Sequence, residues 1–339
     1  MNSSVFPKCA SDAQMIMRTA FLFRSNVYVN DCVAVLTFVL TAMVMKRLND
    51  RTIFSNSTHV LIWISLCIVN AHEVIYGYIQ NWSLYRSFVY SSEPCNIMFD
   101  EYECFPSYTA NIFVRLLMLF TNCALTTDRL LTLLVPCIPA SYSRGIVLFL
   151  FSLGASVIFC MQLTSDGPTD KLQNNCFQRM DRNMNELKSQ LLFYFKVCSV
   201  CFVLNCLAWF ISWRALRKRK FNLQDDYTKR ESVNSALVIS LILVFQVIAL
   251  GFYSLSVVHV LDIYPSADQI VLNNLVLWFY TYPWASLSLP VGILMSTRFI
   301  TIRRRHRIDV LTAETKKENQ TSYFIKLHQS WDDAARTKS

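Results

Sequence analysis

Apolar side chains in this 339-residue chain gather into seven long runs, at 26–46, 58–79, 106–129, 145–164, 190–213, 233–257 and 269–295. No Asp, Glu, Lys or Arg interrupts the stretches between Arg144 and Asp166, Glu231 and Asp262, or Asp268 and Arg298. A helix crosses the roughly 30 Å hydrocarbon core of a bilayer in about 20 residues, and each run has that length. Lipid offers the backbone no hydrogen-bond partners, so a spanning segment must satisfy its own N–H and C=O groups, as a helix does. The pattern predicts an all-α membrane protein: an N-terminal segment, 1–25, a seven-transmembrane helix bundle over 26–297, and a polar tail, 298–339. In the tail Phe299, Ile300 and Ile302 stand beside Arg303, Arg304, Arg305 and Arg307, the make-up of a short amphipathic helix on a membrane surface.

Composition agrees with that pattern. The chain is 53% hydrophobic and only 16% charged, where a soluble domain carries about 25% charged residues. A soluble enzyme, a disordered protein and a disulfide-stapled secreted domain are thereby excluded. The net charge of +9 does not point to nucleic acid, because the basic residues sit in the segments between apolar runs, where they report membrane topology. Lys and Arg near span ends are retained in the cytoplasm. With the N-terminus outside, the inner segments hold 22 of them and the outer segments 8, and without the tail the ratio is still 12 to 8. The reading is N-terminus outside and C-terminus cytoplasmic. The first 26 residues include Lys8, Asp12, Arg18 and Arg24 and lack the compact apolar core of a signal peptide, so the first run acts as its own insertion signal.

Six glycines leave no material for a phosphate-cradling loop, and no P-loop, dinucleotide fingerprint, HExxH or Gly-x-Ser-x-Gly elbow occurs. No enzymatic activity, cofactor or metal is expected. Of twelve cysteines, Cys198 and Cys201 have CxxC spacing, but no His or acidic residue stands near them to complete a metal site. Cys9, Cys95, Cys104 and Cys176 fall in outer segments, where disulfides persist, and four thiols allow three pairings. Position favours Cys104, which opens the third span, with Cys176, which precedes the fifth. The sequons at Asn2 and Asn81 also lie on the outer side and are expected to be glycosylated, although the same pattern recurs at Asn56 and Asn319 on the inner side.

Twenty-five residues after Cys104, about 37 Å along a helix, Arg129 follows Asp128 at the inner end of the third span. This spacing, with seven spans and Cys176 before span five, resembles the rhodopsin-like G-protein-coupled receptor architecture over residues 20–308. Within it, EPCNIMFDEYECF, TTDRLLTLLVP and FNLQDDYTKRESVNSALVI are similar to segments of the nematode serpentine chemoreceptors of the class alpha superfamily. The resemblance implies a small-molecule ligand in the outer half of the bundle and a heterotrimeric G protein at the inner face, contacting Asp128, Arg129, Arg217 and Lys218. It also implies the plasma membrane, and the ciliary membrane of chemosensory neurons. The sequence departs from the rhodopsin-like pattern in three places. Span six has no proline, span seven carries Ser288-Leu289-Pro290, and Leu130 follows Arg129. Asp128 and Arg129 also read as a charge pair that merely ends a helix.

An ionisable side chain within the bilayer is costly unless paired or hydrated, and is a functional candidate for that reason. Glu73, Arg115 and Lys196 are such residues, all in the outer half. Arg115 and Lys196 would offer positive charge to an anionic or carbonyl-bearing ligand. The alternatives are an internal Glu73–Arg115 salt bridge, and a Lys196 that snorkels to the interface. Tyr253 and Trp278 lead the aromatic candidates for the pocket, with Tyr280, Tyr282 and Trp284 nearby. The function expected is a chemosensory receptor with three partners, a small molecule, a G protein and the bilayer. The alternative is a ligand-gated cation channel subunit of the insect odorant-receptor kind, whose N-terminus lies inside.

Overall fold

The computed structural model describes residues 9–50, 54–135, 138–169, 172–173, 175–177, 184–217, 223–263, 276–317, 324–325 and 327–329. The chain divides into two units, Met1–Ile293 and Leu294–Ser339. The first holds α1 (Asp12–Thr19), α2 (Phe21–Asp50), α3 (Asn56–Val89), β1 (Phe99–Asp100), α4 (Glu101–Leu134), α5 (Tyr142–Thr164), β2 (Leu172–Gln173), α6 (Met184–Arg217), α7 (Leu223–Ile263) and the start of α8 (Tyr282–Lys317). The second holds the rest of α8 from Leu294, including Thr301, whose hydroxyl donates to the Thr297 carbonyl at 2.8 Å.

Among the described residues six helices, α2 to α7, are long and apolar enough to cross a membrane. Each runs past the end of its apolar stretch. α3 and α4 have 34 residues apiece, about 51 Å at 1.5 Å per residue, which carries polar turns beyond the hydrocarbon at both ends. α4 is the central helix: it packs against α3, α5, α6 and α7, and 72% of its most apolar window is buried, against 17% for α5. The exposed face of α5, with Ile146, Leu150, Phe151, Ile158 and Met161, has the apolar character that a lipid-facing surface requires. Gly145 lets the first turn of α5 approach α3, because a Cβ there would lie 2.7 Å from the Ser57 carbonyl oxygen.

The seventh run is not one helix. Residues 276–279 are helical, Tyr280 and Thr281 are not, and α8 begins at Tyr282. Pro283 explains the break, since it has no N–H to give the Phe279 carbonyl four residues back and its ring collides with that carbonyl. The freed backbone is partly resatisfied by Tyr280 N–H to Leu277 at 3.4 Å and Ala285 N–H to Thr281 at 3.0 Å. The Thr281 hydroxyl donates to the Ala249 carbonyl of α7 at 2.5 Å.

At the end of the bundle that carries the N-terminus, two disulfides, Cys9–Cys95 and Cys104–Cys176, tie the connecting segments together. β1 and β2 pair antiparallel beside them, Phe99 opposite Gln173. The α1 helix starts on a capping box of Ser11 and Gln14. Its Arg18 is fully enclosed, with NH2 3.5 Å and 3.4 Å from the carbonyls of Ser83 and Ile97, and it lies against the rings of Phe23 and Phe99. Burial, and then the like charge of Arg86, pull the Arg18 guanidinium down to about 9.

Candidate functional site

Two polar clusters are buried in the bundle, one toward each end of α4. The first surrounds Arg115, eleven residues from Cys104 and so about 16 Å along the helix. Arg115 is 6% exposed and stands in a box of tyrosines. Its guanidinium carbon lies 4.1 Å from the Tyr282 ring centre and 5.7 Å from those of Tyr194 and Tyr280. Tyr253 meets Tyr280 and Tyr282 edge-on at 5.5 Å and 5.9 Å, and Tyr76 stacks on Tyr280 at 4.7 Å. Phe177, next to the disulfide-bonded Cys176, closes the box at 5.0 Å from Tyr280 and 6.1 Å from Tyr76.

The break before α8 positions this cluster, because it brings Tyr280 and Tyr282, two residues apart, to the same box. In a continuous helix residues two apart point about 200° from one another. Beneath Arg115, and lined also by Asn122, Tyr194, Gln246 and Tyr282, is a cavity of about 20 Å³, room for about one water. Beside the box, His72 Nδ1 is 3.0 Å from Glu73 and 3.3 Å from the Ser286 hydroxyl, and His72 Nε2 is 3.3 Å from the Tyr280 hydroxyl. Glu73 and His72 are both buried.

The structure brings Arg115 and Tyr253 together and sets Glu73 next to them through Tyr280 and His72. The Glu73–Arg115 salt bridge does not form: Glu73 pairs with His72, and Arg115 has no carboxylate partner among the described residues. Lys196 and Trp278 do not join the box. Lys196 is exposed on α6, on the side of Phe193, Val200 and Val203, and Trp278 is 43% exposed. Tyr76, Tyr194, Phe177 and Gln246 belong to the site without having been singled out in the sequence. The signal for Tyr194 was available in the stripe Leu191, Tyr194, Cys198, Cys201, Asn205, Ala208, which is the buried face of α6.

The second cluster centres on Asp128, which is fully buried. It accepts hydrogen bonds from Ser57 at 2.6 Å, Thr58 at 2.7 Å and Arg144 Nε at 2.9 Å, and pairs with Arg144 NH2 at 2.7 Å. Arg144 continues to the Thr132 hydroxyl at 2.6 Å and the Ile138 carbonyl at 3.3 Å. Arg129 is buried too, and donates to the Thr58 hydroxyl. The ion pair is therefore Asp128 with Arg144, not with its sequence neighbour, and it ties α3, α4 and α5 together. Arg217 is the last residue of α6, while Lys218 and Asn2 lie outside the described residues. Asn81 is exposed within α3, its carboxamide donating to Asp31 at 3.0 Å and to the Gly77 carbonyl at 2.9 Å.

A bundle of six helices long and apolar enough to span, with a buried polar box at its disulfide-linked end and a buried charge network at the other, defines a multi-pass membrane protein. Residues 3–331 match the family model described as serpentine type 7TM GPCR chemoreceptor Sra. Similar proteins include serpentine receptor class alpha-32 of Caenorhabditis elegans, 32% identical over 93% of this chain and 94% of its own. Serpentine receptor class alpha-10 of the same organism is 32% identical over 96% of this chain and 97% of its own. Its Caenorhabditis briggsae namesake is 31% identical over 98% and 100%. The chain belongs to the serpentine class alpha chemoreceptor family, a family of plasma-membrane receptors and not of enzymes. The seven-helix fold and the family resemblance read from the sequence agree with these findings.

Proposed function

We propose that this receptor binds a small molecule in the outer half of its bundle, in the Arg115 box, and signals to a heterotrimeric G protein at the Asp128 end. In this reading the disulfide-linked end faces the exterior and the C-terminus lies in the cytosol. The observation that carries it is the buried Arg115 in a ring of tyrosines contributed by α3, α6, α7, α8 and the segment before it. Such a charge has a high cost in a bilayer unless a function retains it. The disulfides support the orientation, because they persist in an oxidising exterior and not in the cytosol. Phe177, pinned through Cys176, forms the outer wall of the pocket.

A cavity of about 20 Å³ is far below the 300 Å³ or more of an occupied small-molecule pocket. Ligand entry therefore requires the tyrosines to move, and Tyr280 and Tyr282 flank a helix break that permits it. A ligand shifts the receptor only by binding the opened form more tightly. At the other end, the buried Asp128 and Arg129 mark the surface assigned to the G protein, and the basic run that includes Arg217 and Lys218 is assigned to the same contact. The ciliary membrane of a chemosensory neuron is the location that fits this role.

Expression in a heterologous cell with an odorant panel, reading cyclic nucleotide or calcium with and without a G-protein inhibitor, tests the proposal. A response abolished by the inhibitor and by Tyr253→Ala is expected. A ligand-evoked current that persists under the inhibitor would replace this reading with the ligand-gated channel.

A further inference from the structure

Resting on the assignment of the Arg115 box as the ligand pocket, we infer that the ligand is an organic anion, a small carboxylate, whose charge is received by Arg115. Arg115 is more than nine-tenths buried and has no ion pair among the described residues. Its Nε is buried with no acceptor among the described residues, and Arg115 lines the cavity directly. The rings around it supply the negative faces of their π systems, a weaker substitute for a counter-ion. A buried guanidinium is satisfied by a planar two-oxygen partner in a bidentate arrangement. Among the described residues the box has no such partner of its own.

The remaining surroundings fit the same chemistry. Glu73 is the nearby acid; its Oε1 is engaged by His72, and no ion pair joins it to Arg115. Below the guanidinium the cavity is walled by Met118, Leu119, Leu250 and Ala285, with Gln246, Asn122, Tyr194 and Tyr282 also on its lining. The walls suit a short apolar body and the cation suits its carboxylate. Cation–π contact with Tyr282 at 4.1 Å holds the guanidinium in the empty state, and a carboxylate entering the box displaces that ring.

The test uses the full chain in nanodiscs and reads the thermal midpoint with butyrate, benzoate, methyl benzoate, butanol and benzylamine, on wild type and on Arg115→Met. At saturation the two carboxylates raise the wild-type midpoint by about 5 °C, and the ester, alcohol and amine do not. Arg115→Met loses the carboxylate shift, which is read against the variant's own ligand-free midpoint. An Arg115→Met variant that keeps the full carboxylate shift makes the cation structural and overturns the inference. So does a wild-type receptor moved by no probe. Benzylamine as the stabilising probe overturns it in favour of Glu73. Methyl benzoate stabilising wild type and variant alike overturns the anion assignment while the pocket stands, and the pocket itself is judged separately by the signalling assay.

Discussion

Neutralising Asp128 probes the second cluster. In Asp128→Asn the carboxylate that binds Ser57, Thr58 and both Nε and NH2 of Arg144 becomes an amide with one acceptor oxygen, and its NH2 faces donors. Arg144, 9% exposed, then keeps a buried charge without its counter-ion. Breaking one side of a buried pair costs about 3–5 kcal/mol. At roughly 2–4 °C per kcal/mol for a chain of this order of size, the midpoint should fall by about 10 °C. Arg144→Gln should cost a similar amount, and the double variant should cost less than the sum of the two by about 1–3 kcal/mol. A thiol-reactive dye provides the assay, since the buried Cys160, Cys198 and Cys201 become accessible on unfolding. If the two substitutions are additive, Asp128 and Arg144 are not coupled and the network described for this end is wrong.

Three further outcomes follow from the packing. Gly145→Ala should destabilise the fold by about 1–3 kcal/mol and so lower the midpoint, because its Cβ would lie 2.7 Å from the Ser57 carbonyl oxygen; an unchanged midpoint would mean the α3–α5 approach is looser than described. Cys176→Ser opens a link between residues 72 apart, which in the chain-entropy view costs about 4 kcal/mol, and it should release Phe177 and reduce surface expression, measured by flow cytometry. Arg18 has a folded pKa lowered to about 9, so the unfolded state binds more protons above that value and the Arg18 contribution to stability rises as pH rises through 9. The difference between wild type and Arg18→Met should shift in that direction across the window, and a pH-independent difference would contradict the burial of the cation.

Much of the fold was legible in the apolar runs, because lipid imposes length and uniform apolarity on a spanning helix. The break in the seventh run was not, since hydropathy is blind to Pro283 and to the carbonyl it displaces. Arg115 was legible as a charge where charge is costly. Lys196 carries the same signal, yet the buried stripe from Leu191 to Ala208 puts it two residues from both Tyr194 and Cys198, off that face. Charge alone does not say which way a helix turns a side chain. Position favours Cys104 with Cys176, and the structure adds Cys9 with Cys95, the pair that remains among the four outer cysteines. Asp128 and Arg129 misled by adjacency: neighbours in a helix point about 100° apart, so the partner of Asp128 had to come from another helix, and Gly145 is what lets Arg144 arrive.

The proposed mechanism requires the disulfide-linked end to face the exterior. An epitope at each end of the chain, stained in intact and then permeabilised cells, measures this directly. The account predicts that the N-terminal tag stains in intact cells and the C-terminal tag only after permeabilisation. A C-terminal tag that stains in intact cells while the N-terminal tag stays dark would place the Arg115 box on the cytosolic side and contradict it.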